Sequence, residues 1–459
     1  MERVSKSKTV KTIVISTTVA TLSVAALVVS LVLVLKKKKR SSEEVQIPEL
    51  WAGTLEFGVA SGSTLSSIIC IDHDENICII GQTNGNLDGE IKTGLQDFFI
   101  SKLDKTGNKI WTKLLGGVSK NTYASGLSIG PDGSMYAIGW TSASLPGNTV
   151  SGTSDYFVVK YDSNGTRIWV KQVGAAGKST FGRFIRVGPS GSVYLFGHTD
   201  APLNGNTLTG VRDGFVAKYD PQGNHVWTKL VGAPTATTNG ICGAIDSQEN
   251  AYLVGYVNGG LDGNSLTGTR DGFVTMYDTN GSKKWTRQQG VQGVLTRYTG
   301  VKEDKNGYIY VGGETQGGLA GNTLIGVLDL TITKYDSNGN ILKTIQYGAP
   351  TVSMGFPQVE VDSSGNIILA SYTNKSFDDQ TIKGSQDMNT IKFDSTGKHI
   401  WTRLMGAVGG VGNTTSLVAD KYNRVFVFGN TTAALEGKTL TGTLDCVILK
   451  YSPDGTLKN

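Results

Sequence analysis

The sequence predicts an all-β fold: a seven-bladed β-propeller of four-stranded antiparallel blades, closed by the N-terminal strand joining the last blade and preceded by one transmembrane helix. Three observations predict it. A 58-residue unit recurs seven times after Gly58. Gly supplies 61 of 459 residues against only 10 Pro, a turn-rich composition that excludes a helical bundle. Residues 12–35 contain no charged side chain. The chain therefore divides into a basic tail (1–11), a membrane span (12–35), a basic flank and linker (36–49) and the propeller (50–459).

The span comes first in the chain. As a helix, its 24 residues reach ~36 Å, enough for a bilayer core of ~30 Å. A cleaved signal would have a shorter apolar core and small residues behind it. Here Lys36, Lys37, Lys38, Lys39 and Arg40 follow instead. Arg3, Lys6, Lys8, Lys11 and the amino terminus balance those five cations, so flanking charge gives no orientation. The net charge of +5 comes from this region. Without residues 1–40 the remainder is slightly acidic, which argues against nucleic acid as a partner.

The repeat is read from columns. Residues 155–169 are DYFVVKYDSNGTRIW, 213–227 are DGFVAKYDPQGNHVW and 271–285 are DGFVTMYDTNGSKKW. The same step gives Asp97, Asp155, Asp213, Asp271, Asp329, Asp387 and Asp445, and a Gly column from Gly107 to Gly455. Each unit has four strand-like runs. In the second unit these are 126–130, 135–140, 156–161 and 167–173, with Pro131-Asp132-Gly133 and Asp162-Ser163-Asn164-Gly165 as tight turns. Four antiparallel strands at a period of 40–60 residues read as propeller blades. The last run carries Trp111, Trp169, Trp227, Trp285 and Trp401, with Lys343 breaking the column. The last unit ends after its third strand, while residues 50–58 (LWAGTLEFG) form a fourth-type strand alone, with Trp51 two residues early on the same face. That strand is expected to complete the last blade and protect its edge.

The run GNTLTGVRDGFVAKYDPQGNHVWTKLVG (205–232) resembles the SBBP β-propeller repeat family, and the likeness covers residues 50–459. The resemblance implies a propeller that is exported or attached to a bacterial cell surface. It implies no particular activity.

In a propeller, the short first-to-second and third-to-fourth turns share one face. The longer, more varied connections (116–125, 232–241, 290–299) share the other, where binding is expected. The linker 41–48 reaches at most ~35 Å, so the tight-turn face is expected toward the membrane and the variable face away from it. On that variable face, a column at the end of each second strand differs in every unit: Gln82, Trp140, His198, Tyr256, Glu314, Tyr372 and Asn430. Aromatic platforms mixed with hydrogen-bonding groups suit protein or glycan recognition. A second reading is that they fill unequal gaps between blades. Arg183, Arg186, Lys302 and Glu360 fall in first strands near the channel. Water there would satisfy them, and an anionic ligand over the channel mouth is the alternative.

The chemistry of the rest points to framework. The seven Asp are one per blade and fit no calcium loop, so they are read as backbone caps and no metal or cofactor is expected. No H-E-x-x-H, G-x-S-x-G or P-loop occurs, and of His73, His198, His225 and His399 only His198 belongs to the variable face. A carboxylate pair of Glu314 and Asp200 is the residual hydrolytic arrangement. Residues 104–111 resemble the blade motif of quinoprotein propellers, but seven blades and no Cys-Cys dipeptide speak against a quinone. Cys70 and Cys78 flank one hairpin; Cys242 and Cys446 are read as free buried thiols. N-x-[ST] sequons begin at Asn164, Asn280, Asn374, Asn413 and Asn430 and matter only in a eukaryotic secretory route. The functional expectation is a membrane-anchored recognition or scaffold surface, with an enzyme at the channel mouth or a purely structural surface protein as alternatives.

Overall fold

A computed structural model describes residues 54–457 apart from Glu436. The predicted span at 12–35 and Trp51 lie outside the described residues. Among the described residues, no helix is long and apolar enough to cross a membrane.

Seven four-stranded antiparallel sheets make up this part of the chain. Six are consecutive: the second blade, for example, is Thr122–Ile129, Met135–Thr141, Asp155–Tyr161 and Arg167–Val173. The seventh is composite. Its inner strands are Gly412–Ala419, Val425–Thr431 and Asp445–Tyr451, and its outer strand is Thr54–Phe57 from the other end of the chain. Thr54 pairs with Leu449 and Phe57 with Cys446, so the predicted closure is present. A single parallel bridge ties each blade to the next, from Gln96–Asn121 to Gln386–Val411, and Leu444–Ser63 completes the ring.

First strands begin earlier than the sequence reading placed them: Thr122 rather than Gly126 in the second blade. A bulge between Ala124 and Gly126 interrupts the alternation that would have shown the strand continuing. The central strands are buried on both faces, as a stacked sheet requires, while fourth strands are partly exposed.

The repeated columns have steric causes. Asp271 is fully buried; its carboxylate accepts the Thr267 and Gly268 N–H groups, both at 2.8 Å. A Cβ on Gly290 would sit 1.8 Å from that carboxylate, which is why the column contains only Gly. Trp285 packs on Gly339 in the turn of the next blade, where φ is +77° and a Cβ would lie 2.7 Å from the indole. Its Nε1–H donates to the Ser337 carbonyl at 3.0 Å. Trp111, Trp227 and Trp401 make the same clasp. Lys102 and Lys392 pair with turn carboxylates Asp72 and Asp362, each at 2.8 Å.

Candidate functional site

The variable face carries the start of every first strand and the end of every second. Register places one residue from each in direct opposition: Leu65 with Gln82, Tyr123 with Trp140, Phe181 with His198, Asn239 with Tyr256, Arg297 with Glu314, Gly355 with Tyr372 and Asn413 with Asn430. The second members are the predicted column. The first members form another step-58 column that sequence reasoning missed, because its residues precede the bulge. The bulge also brings the first-strand carbonyl close to the second strand, so a Cβ on Gly139 would be 1.8 Å from the Tyr123 oxygen. Ser371 replaces that Gly in the sixth blade, where the irregularity widens to Gly355–Gln358.

The predicted column divides into two roles that alternate around the ring. In blades one, three, five and seven the side chain bonds to the next blade. The Gln82 amide oxygen accepts the Ala124 N–H at 3.3 Å, and that of Asn430 accepts the Ser66 N–H at 2.6 Å. Glu314 accepts the Phe356 N–H at 2.6 Å. The ring nitrogen Nδ1 of His198 lies 3.1 Å from the Gly240 carbonyl. A carbonyl only accepts, so Nδ1 carries the proton. In blades two, four and six the residues are Trp140, Tyr256 and Tyr372, all half-buried and none hydrogen-bonded across a blade boundary among the described residues.

These rings belong to a strip that alternates with guanidinium groups. Trp140 stacks on Tyr123 at 3.9 Å and meets the edge of Phe181 at 5.3 Å. Arg212 lies over Phe181 at 5.7 Å, held by Asp200 at 2.6 Å and Asn239 at 3.0 Å. Arg270 and Arg297 cover Tyr256 at 5.4 and 5.9 Å. Arg297 pairs with Glu314 and lies 4.6 Å over Phe356. Phe356 is 48% exposed with φ +51°, a left-handed conformation that bulky residues rarely adopt.

Burial sets the electrostatics. It lowers the His198 pKa to about 3, with the Arg183 and Arg212 charges adding to the effect. Burial raises Glu314, while Arg297 and the Phe356 N–H pull the other way. Glu314 and Asp200 each have their own arginine, so the carboxylate pair considered from sequence is not assembled as free acid and base.

The channel-facing charges separate. Lys302 and Glu360 pair at 2.8 Å. Arg186 lies over Phe184 at 4.3 Å, beside a cavity of about 310 Å³ that also contains Lys302 and Glu360. Arg183 lines a second cavity of about 230 Å³. A larger recess of about 740 Å³ lies at the outer edge, between Trp285 and the Ser337–Asn338 turn, and belongs to the blade clasp. Cys70 and Cys78 are register partners, and all four cysteines are free thiols; burial pushes Cys70 up to about 11. Among the described residues, no three His, Cys, Asp or Glu side chains gather into a metal-binding group.

Residues 284–320 match the model of the β-propeller repeat SBBP. The chain carries the SBBP repeat. The chain is 28% identical over 253 residues to the regulatory protein FlaEY of Caulobacter vibrioides, covering 48% of this chain and 25% of that protein. It is 24% identical over 342 residues to an uncharacterised WD repeat-containing protein of Acanthamoeba polyphaga mimivirus, covering 55% of this chain and 24% of that one. The matches span about a quarter of the length of these curated relatives. Among solved structures, virginiamycin B lyase of Staphylococcus aureus aligns over 86% of this chain and 98% of the lyase at 10% identity and a TM-score of 0.43. An ulvan lyase aligns over 87% and 96% at 11% identity and a TM-score of 0.47.

Proposed function

We propose that this propeller is a recognition surface for protein or glycan partners, presented on its variable face. The observation that supports the reading is the alternation in the predicted column. Four side chains hydrogen-bond to the next blade; Trp140, Tyr256 and Tyr372 make no such bond among the described residues and present ring faces instead. Rigid aromatic rings give contact area at small entropy cost, and guanidinium groups stacked on them add polar specificity. Phe356 strengthens the case. An exposed aromatic at positive φ costs on the order of 1–3 kcal/mol, and such outliers cluster at functional sites.

In the same proposal, the apolar stretch 12–35 tethers the propeller to a membrane. The test is a protein and glycan binding screen with the full chain and with the Trp140→Ala/Tyr256→Ala/Tyr372→Ala variant. Loss of the partners found with the parent supports the reading. A triple variant that folds and keeps every partner overturns it.

A further inference from the structure

The channel mouth contains a charge that the fold leaves without a counter-ion. Arg183 lies in the first strand of the third blade, Thr180–Val187, and faces the cavity of about 230 Å³. Its guanidinium makes no hydrogen bond or ion pair with any described residue. The ionisable groups near it are the Tyr256 phenol, the Arg212 cation and the His198 imidazole, with no carboxylate among them, and burial depresses its pKa. No Asp or Glu lines its cavity, and the acids of the site described above are ion-paired elsewhere: Asp200 to Arg212, Glu314 to Arg297, Glu360 to Lys302. Arg183 is half-buried, and a cation drawn partly out of solvent is stabilised by water or an anion.

Two more polar side chains in the same cavity are unused. Ser125 is the step-58 counterpart of Arg183 in the preceding blade, and Gln358 comes from the sixth blade. Neither side chain has a hydrogen-bond partner among the described residues. The other hydroxyls of the wall are occupied: Thr299 donates to the Pro357 carbonyl at 2.7 Å, Thr415 to that of Phe428 and Ser67 to that of Ala124, both at 3.1 Å, and the Ser66 hydroxyl bonds to that of Thr415 at 2.8 Å. A planar guanidinium, a hydroxyl and an amide thus line one small space. At ~30 Å³ per water, that space holds about eight waters, or one sugar ring, and no folded element.

We propose that this cavity is an anion site for the carboxylate of an acidic sugar, a uronic acid at a chain end or branch. This rests on the recognition reading above and names the ligand class for it. The guanidinium fork matches a carboxylate in two parallel hydrogen bonds. Ser125 and Gln358 supply groups for ring hydroxyls, and the aromatic rim offers flat faces to the C–H side of adjoining sugars. An acidic peptide is the competing occupant, and the test separates it.

The experiment is calorimetric titration of the full chain with glucuronate, glucose and the tripeptide Gly-Glu-Gly, for the parent, Arg183→Met, Arg183→Lys and Gln358→Ala. Glucuronate binds at least about tenfold tighter than glucose, and Arg183→Met loses at least about tenfold, the scale of one charge-assisted hydrogen bond. Arg183→Lys keeps the charge without the fork and weakens binding by less. Gln358→Ala also weakens it, and serves if Arg183→Met does not fold. Equal affinity for glucose and glucuronate overturns the site, as does parental binding in both Arg183→Met and Gln358→Ala. Tighter binding of the tripeptide overturns the sugar assignment. The two readings fail separately: if the aromatic triple variant loses its partners but glucuronate never binds, recognition stands and the anion site falls. If glucuronate binding depends on Arg183 while the triple variant keeps every partner, the reverse holds.

Discussion

Substituting Gly58 with Ala tests how the ring is closed. Gly58 follows the N-terminal strand, and a Cβ there would lie 1.9 Å from an Asp445 carboxylate oxygen. Asp445 is fully buried and accepts the Thr441 and Gly442 N–H groups at 2.6 and 2.9 Å. Two escapes are open. The carboxylate can turn away, losing two charge-assisted hydrogen bonds worth ~1.5–3 kcal/mol each. Otherwise the short strand Thr54–Phe57 lifts from Asp445–Tyr451. Gly290→Ala is the control, since its Cβ would be 1.8 Å from Asp271. The local cost is the same, but the strand before Gly290 is held in sequence between two complete blades. Hydrogen exchange reads the difference. Gly58→Ala is expected to lose protection at Thr54–Phe57, with melting lowered by on the order of 5 °C. Gly290→Ala is expected to melt lower while Thr54–Phe57 stays protected. Unchanged protection and melting in Gly58→Ala would refute the argument that this glycine locks the terminal strand to Asp445.

Two further outcomes follow from the same geometry. Trp285 gives its N–H to the next blade, whereas the buried Trp169 nitrogen has no partner; Trp285→Phe should cost about 1 kcal/mol more than Trp169→Phe in denaturant titration. His198 holds a folded pKa of about 3 against an ordinary 6.5, so the unfolded chain takes up a proton that the folded chain refuses. Its stabilisation is complete above pH 6.5 and is lost as pH falls toward 3. Between pH 7.5 and 5 the parent should therefore lose ~2 kcal/mol more than His198→Gln, measured by unfolding at both pH values. An identical pH dependence of the two proteins would contradict it.

The architecture was legible because contact geometry is written into columns. Gly290 and its equivalents exclude a side chain because a carboxylate fills the space; Gly165, Gly223, Gly281, Gly339 and Gly455 because an indole does, and Gly397 because Ile345 does. Such exclusions repeat wherever the blade repeats, so the period shows them. The candidate site was half legible. Gln82, Trp140 and their successors stood out by varying inside a fixed frame. Tyr123, Phe181, Arg297 and the rest of the opposing column did not, because the bulge hid the strand they begin. Arg212 and Arg270 were missed for another reason: each precedes a repeated Asp inside a connection that reads as loop. The Lys302–Glu360 pair was within reach, since the two residues are one repeat apart and adjacent blades place equal positions side by side. That Arg183 lacks such a partner needed coordinates, because it depends on which acids are already engaged.

The alternation of blades whose column residue hydrogen-bonds to the next blade with blades whose residue does not has an arithmetic consequence. Seven is odd, so a two-step pattern cannot run round the circle without a fault. The fault falls where Asn430 and Gln82, both amides, stand side by side, at the seam sewn by the two ends of the chain. A sevenfold frame thereby acquires a front and a back: one blade boundary differs in kind from the other six, and no rotation by a seventh of a turn maps the column onto itself.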